Sequence, residues 1–328
     1  MSRNATKDLT TGSPMKLILG FGIPLLFGML FQQFYNMMDT IIVGKFLGVS
    51  ALASVGATGS INFMIIGFCM GVCNGFAIPV AQRFGAKDEH GMRKFVANSV
   101  WLSIIFAVVM AVLVCVFCRQ ILELMNTPED IIDGSYSYIF VIFLGIPATY
   151  MYNLLSGIMR SLGDSKTPLY LLIFSSILNI ILDLLSIIVL KMGVAGAAWA
   201  TVIAQAVSGF CCLGVIWKKF PILHVQREEW QPDKLCILNL CNMGIPMGLQ
   251  YSITAIGSVI IQAAVNSLGS VAVASVAAAV KINMFLCCPY DAMGSTMATY
   301  AGQNVGAGKF DRLKRGEKAC TLLGLVYG

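Results

Sequence analysis

The chain has 328 residues, of which 57% are apolar types and only 12% charged, and its mean hydropathy is +0.80. A soluble domain carries about 25% charged residues, so this composition excludes a soluble globular enzyme or nucleic-acid binder, and it equally excludes a disordered chain. The net charge of +6 suggests nucleic acid only if the bases share one water-facing surface; here they divide across a membrane, and no nucleic-acid partner is expected.

Long apolar stretches near the ~20 residues that cross a bilayer core recur along the chain. They predict spans at 16–43, 52–80, 95–118, 135–157, 168–190, 194–217, 238–266 and 271–300, with a ninth beginning near 319. The polar N-terminus and the length of the first run argue against a cleavable signal peptide. A β-barrel would show ~10-residue alternating segments instead. The predicted class is an all-α polytopic membrane protein.

Charge sets the expected orientation. With the N-terminus cytoplasmic, 18 Lys and Arg residues fall in the tail and even-numbered loops, counting Arg160 and Lys166 as the fourth loop. Only Lys45, Arg119 and Lys191 fall outside, and Lys281 lies within a span.

The chain also repeats itself. Gly22-Ile23-Pro24 recurs as Gly244-Ile245-Pro246, and Leu47–Val55 recurs, offset by 221, as Leu268–Val276. The same offset pairs Gln82, Gly85 and Ala86 with Gln303, Gly306 and Ala307. Six spans separate equivalent points, so both copies run the same way across the bilayer, as in two-lobed secondary transporters. The expected organisation is an N-terminal six-helix lobe (1–217), a cytoplasmic linker (218–237) and a partial C-terminal lobe (238–328). Because the second copy stops after two spans and part of a third, the chain reads either as naturally truncated or as a fragment of one of roughly 440 residues.

Three acids lie inside spans: Asp39, Asp183 and Asp291. An ionisable group at depth costs several kcal/mol unless it faces a cavity or partner. At ~1.5 Å per residue, Asp39 sits about 9 Å below the outer face, while Asp183 and Thr201 sit about 12 Å below it. Asn179, four residues before Asp183, shares its helix face. These groups predict one oxygen-rich cluster fit for Na⁺ or a proton, with helix capping as the structural alternative. The repeat gives Asp39 no acidic counterpart, since Ile260 or Ile261 stands there. Pro24 removes a helical hydrogen bond and predicts a kink. Lys281 and Asp291, ten residues apart, are not an i,i+4 pair, so each calls for another partner or a wet cavity.

Other signals are weaker. The 11 cysteines include one Cys-x-x-Cys, Cys115 to Cys118, and the only histidines are His90 and His224. That set lacks the ligands of a zinc or haem site, and no cofactor is expected. Gly163–Thr167 has the wrong glycine spacing for a phosphate loop and reads as a turn stopped by Pro168. No catalytic cluster appears, so the chain is not expected to be an enzyme.

Several runs resemble the multidrug and toxic compound extrusion (MATE) transporters. They are Pro24 … Gln32-Gln33-Phe34-Tyr35-Asn36-Met37-Met38-Asp39 … Val43-Gly44, Gln82–Lys87, Gly157–Asp164, Asn179-Ile180-Ile181-Leu182-Asp183 and Gly302–Gly308. The resemblance implies two six-helix lobes and export of cationic or amphiphilic compounds in exchange for H⁺ or Na⁺. It implies a multi-pass monomer of the bacterial or archaeal cytoplasmic membrane. In the DinF-like branch the cation site would fall on Asp39, Asn179, Asp183 and Thr201, with Gln32, Tyr35, Tyr138 and Asn153 matching neighbouring polar positions. Span seven contains no acid, which argues against the NorM-like branch. A lipid-linked oligosaccharide flippase of similar architecture is the alternative; it would need a strongly cationic cavity, and Lys281 is the only deep base the sequence offers.

Overall fold

In hydrocarbon no water satisfies exposed backbone groups, so each apolar run closes its own hydrogen bonds as a helix. A computed structural model describes residues 6–125, 127–266 and 270–327, and every regular element among them is helical. The order is α1 (Pro14–Leu47), α2 (Val49–Ala57), α3 (Gly59–Gly85), α4 (Glu89–Val116), α5 (Cys118–Leu124) and α6 (Glu129–Leu144). There follow α7 (Ile146–Ser161), α8 (Lys166–Leu184), a π-helical turn (Leu185–Val189) and α9 (Gly193–Lys219). After two 3₁₀ turns come α10 (Lys234–Asn266), α11 (Ser270–Gly306) and α12 (Phe310–Tyr327).

By length and apolarity, five helices qualify as membrane spans, and α6 with α7, bent by 46° at Gly145, make a sixth. Helices α10 and α11, with 33 and 37 residues, pack lengthwise on α3 and α1. The helices overrun the predicted spans because their polar ends stay helical beyond the hydrocarbon. Pro168 starts α8 rather than stopping a turn. It lies in the first helical turn, where a missing N–H costs nothing, and Asp164 accepts from the backbone of Lys166 and Thr167, both at 3.0 Å. Helix α1 runs unbroken through Pro24.

The helices are inside out compared with those of soluble proteins. On α8, Tyr170, Phe174, Ile177 and Ile181 form an exposed apolar stripe, continued by Ile188 in the π turn, while Asn179 and Asp183 are buried. On α4, Ile104, Ile105, Val108, Val109, Val112 and Leu113 face outward and Ala107, Ala111 and Val114 inward. Lipid covers the apolar side, and the polar side turns to the protein interior.

The repeat is visible in hydrogen bonds. At the end of α3, Ala86, Lys87 and Asp88 N–H groups donate to Gln82, Phe84 and Arg83; at the end of α11, Ala307, Gly308 and Lys309 donate to Gln303, Val305 and Asn304. Lys87 and Gly308 take the same left-handed conformation, φ 58° and 68°. These equivalent ends also meet. A Cβ on Gly85 would lie 1.9 Å from Gln303 O, and one on Gly306 would lie 1.7 Å from Gln82 O. The two contacts exchange under the repeat, as across a two-fold axis.

Two seams between the halves obey the same relation. Helix α10 lies on α3, and α1 on α11. In the first, Gly71 and Gly75 of α3 meet Met247, Gly248 and Gly244 so closely that a Cβ would lie 2.5 Å from the opposing backbone. Small residues spaced four apart permit this approach. In the second, the equivalent of Gly75 is Thr296, and a Cβ on Gly22 would lie 3.1 Å from its Oγ1, tight but looser than the first seam.

The connection between the halves is stapled to α4. Arg93 Nε donates to both oxygens of buried Glu229 at 2.9 Å, and His90 Nδ1 lies 2.8 Å from the same carboxylate. Burial pushes Glu229 up, but the Gln226 N–H, Arg93 and His90 outweigh it and hold the carboxyl below its ordinary 4.5. The N-terminal segment crosses the face where α3 and α11 end, called here the tail face. Leu9 N–H donates to Gln303 Oε1 at 2.8 Å and Lys7 N–H to Leu162 O at 2.9 Å.

Candidate functional site

Helix α1 carries Gln32, Tyr35 and Asp39 at helical spacing, while Phe27, Phe31 and Phe34 are exposed on its outer side. Asp39 is buried at 9% exposure and Asp183 at 0%. Their carboxyl groups stand within hydrogen-bonding reach of each other. Asn179, with its amide nitrogen toward Asp183, donates to Asp183 Oδ2 at 2.9 Å. Its oxygen then accepts from Thr201 N–H at 3.1 Å and Oγ1 at 3.2 Å. Tyr35 OH lies 3.3 Å from Thr201 Oγ1. Buried Tyr138 is an electrostatic neighbour of Asp39, Tyr35 and Asp183. One oxygen of each acid, Asp39 Oδ1 and Asp183 Oδ1, is buried with no hydrogen-bond partner. Two carboxyl groups in contact, each with an orphan oxygen, supply what a shared proton or a small cation needs. The π turn follows Asp183 directly; such turns recur at functional sites, and no sequence signal marked this one.

The cluster forms the far end of a cavity. Gln32, Tyr35, Asn153, Asn179, Thr201 and Pro24 line this cavity of about 160 Å³, which ends toward the tail face at Arg160, Ser165 and Pro168. Asn153 donates to Thr149 O at 2.8 Å. A second cavity, between the halves, is lined by Asp291, Tyr290, Gln250 and Thr299. Asn74, Arg160, Tyr251 and Ser295 line both, so the two spaces share a wall.

Two sequence expectations change here. Arg160 is not a loop base. It ends α7 with its guanidinium turned inward, donating to Asn74 Oδ1 at 3.1 Å, and the charge asymmetry between the faces stands without it. Asp291 is exposed to the second cavity, away from the Asp39–Asp183 cluster, and makes no ion pair among the described residues. The side chain of Lys281 lies outside the described residues. All 11 cysteines are free thiols.

The MatE family profile matches residues 24–185 and 246–328. The probable multidrug resistance protein YoeA of Bacillus subtilis is 30% identical, over 94% of this chain and 68% of its own length. A protein of Shewanella oneidensis named FAD transporter is 23% identical, over 92% of this chain and 67% of its own length. A solved MOP superfamily transporter from Pyrococcus furiosus, titled for a binding pocket of reverse polarity, superimposes with a TM-score of 0.92 at 24% identity. It covers 100% of this chain and 72% of that one. The profile match over both halves, with the helical scaffold it accompanies, makes this chain a multi-pass membrane transporter of the MATE family.

Proposed function

We propose that the protein is a cation-coupled exporter of drug-like cationic or amphiphilic compounds, driven by H⁺ or Na⁺ through Asp39, Asn179, Asp183 and Thr201. The observation that carries this reading is one continuous chain of contacts: Asn179 bonds Asp183 on one side and Thr201 on the other, and both Asn179 and Thr201 line the cavity. A cation entering between the carboxyl groups removes negative charge from that side of the cavity and loosens its hold on cargo, so ion and cargo exclude one another. One charge moving inward down 100 mV supplies about 2.3 kcal/mol, which sustains roughly a 50-fold gradient.

The tail face is cytoplasmic in this reading, because the bases crowd there. The Gly85–Gln303 and Gly306–Gln82 contacts close that side. Near the other face, Ile256, Ile260 and Ile261 are exposed and Gly56, Gly59 and Gly257 have open space around them. Rocking of the halves about the seams then alternates access. The protein works as a monomer, since each half buries its seams against the other. Relatives named for multidrug resistance support drug export, and the one named FAD transporter widens the range of cargo. The flippase alternative still lacks a strongly cationic cavity, because Arg160 is accompanied by Asp291.

Vesicles containing the full-length protein and loaded with a cationic dye test this, with pH and Na⁺ gradients imposed separately. Dye transport driven by one of the two gradients is expected. Transport indifferent to both would contradict the proposal.

A further inference from the structure

Arg160 is a permanent charge in the interior of a membrane protein. Among the described residues its protein acceptor is the neutral Asn74 Oδ1, at 3.1 Å, and no carboxylate pairs with it: Asp291 lines the second cavity with it but forms no ion pair. A charge in that setting needs a counter-charge or water. The side chain opens on both cavities, so the place for that counter-charge is the cargo space itself. Asn74 holds the planar guanidinium in one orientation and leaves its remaining N–H groups for a second ligand. A fork of parallel donors fits carboxylate or phosphate oxygens.

This cavity thus has opposite charges near its two ends, acidic beside Asn179 and basic at Arg160, with Leu25, Met29, Met70 and Leu172 among the apolar residues between. Along α8, Asn179 is eleven residues from Pro168, which lines the basic end, about 16 Å. We infer that Arg160, oriented by Asn74, is the anchor for an anionic group, carboxylate or phosphate, on an elongated amphiphilic cargo whose body extends toward Tyr35. This rests on the exporter reading above and narrows it. Cargo bearing an acidic group at one end is selected over cargo that is only cationic, and Tyr152 and Tyr251 offer aromatic walls beside the anchor.

The test uses two rhodamines of one ring system, an ethyl ester that is a fixed cation and its zwitterionic free acid, with full-length protein in vesicles. The native protein is expected to move both. Arg160→Gln should lower the acid-to-ester transport ratio at least tenfold, and Arg160→Lys, which keeps the charge without the fork, should restore part of it. Asn74→Leu should lower the ratio severalfold and serves if Arg160→Gln fails to fold, as judged by size-exclusion profile. Repeating the assay in phosphatidylcholine with and without phosphatidylglycerol separates the sources of the anion. Competition by the anionic lipid that vanishes in Arg160→Gln assigns the anchor to a headgroup, and no competition assigns it to a dissolved cargo. A native protein that moves the ester but not the acid overturns the inference and leaves the exporter reading intact. A ratio unchanged in Arg160→Gln overturns it as well. Transport of neither dye by the native protein defeats the exporter reading instead.

Discussion

Helices α1 and α10 begin alike and end differently. Both carry Gly-Ile-Pro near the tail face, and each lies on the second span of the other half. Toward the far face, α1 buries Asp39 against Asp183, whereas α10 exposes Ile260 and Ile261, at 65% and 63%. The scaffold is duplicated and the ionisable chemistry is not. Packing is what the halves must share to meet across a pseudo-two-fold axis; a charge buried in both would cost desolvation twice without adding a second use.

The sharpest way to break this comparison is at the acids. Asp39→Asn and Asp183→Asn should each leave the protein folded and cut gradient-driven transport at least a hundredfold, measured as initial dye flux in vesicles. The closing contacts come next, and there symmetry makes a demand. Gly85→Leu and Gly306→Leu meet equivalent backbone oxygens, so each should hold the tail face apart and raise thiol labelling of a Cys placed at Ala81 by similar factors, about tenfold. Unequal labelling would show that the halves do not close as equivalents.

The seams should respond unequally. Gly75→Ala drives a methyl into the Gly244 backbone and should cost about 1–3 kcal/mol of thermal stability. Thr296→Ala at the looser seam should cost less than about 1 kcal/mol. An effect on stability comparable to that at Gly75 falls on the linker, which belongs to neither half. Glu229→Gln removes the charge-assisted bonds to Arg93 and should cost about 1–3 kcal/mol at neutral pH. Since the folded protein holds Glu229 below 4.5, that contribution is complete above this pH and fades as pH falls beneath it. The native and Glu229→Gln melting curves should therefore converge in acid.

Most of the scaffold was legible because apolar length and charge asymmetry follow directly from the bilayer as solvent. The gathering of the polar cluster was legible from depth counting, which placed Asp39, Asp183 and Thr201 at similar levels from three helices. Arg160 was misplaced because position along the chain says where a helix ends but not which way its last side chain points. The seam glycines, Gly71 and Gly75 facing Gly248 and Gly244, were present as a small-residue spacing and passed unread. The bend at Gly145 had a signal too, in Gly145-Ile146-Pro147. The π turn after Asp183 had none.

Infrared difference spectroscopy of the purified protein, switched between low and high H⁺ or Na⁺, reads buried carboxyl groups directly. If Asp39 and Asp183 bind the driving cation together, the switch changes a carboxyl stretch that disappears in both Asp39→Asn and Asp183→Asn. A carboxyl signal identical in the native protein and in either variant would show that the cation binds elsewhere.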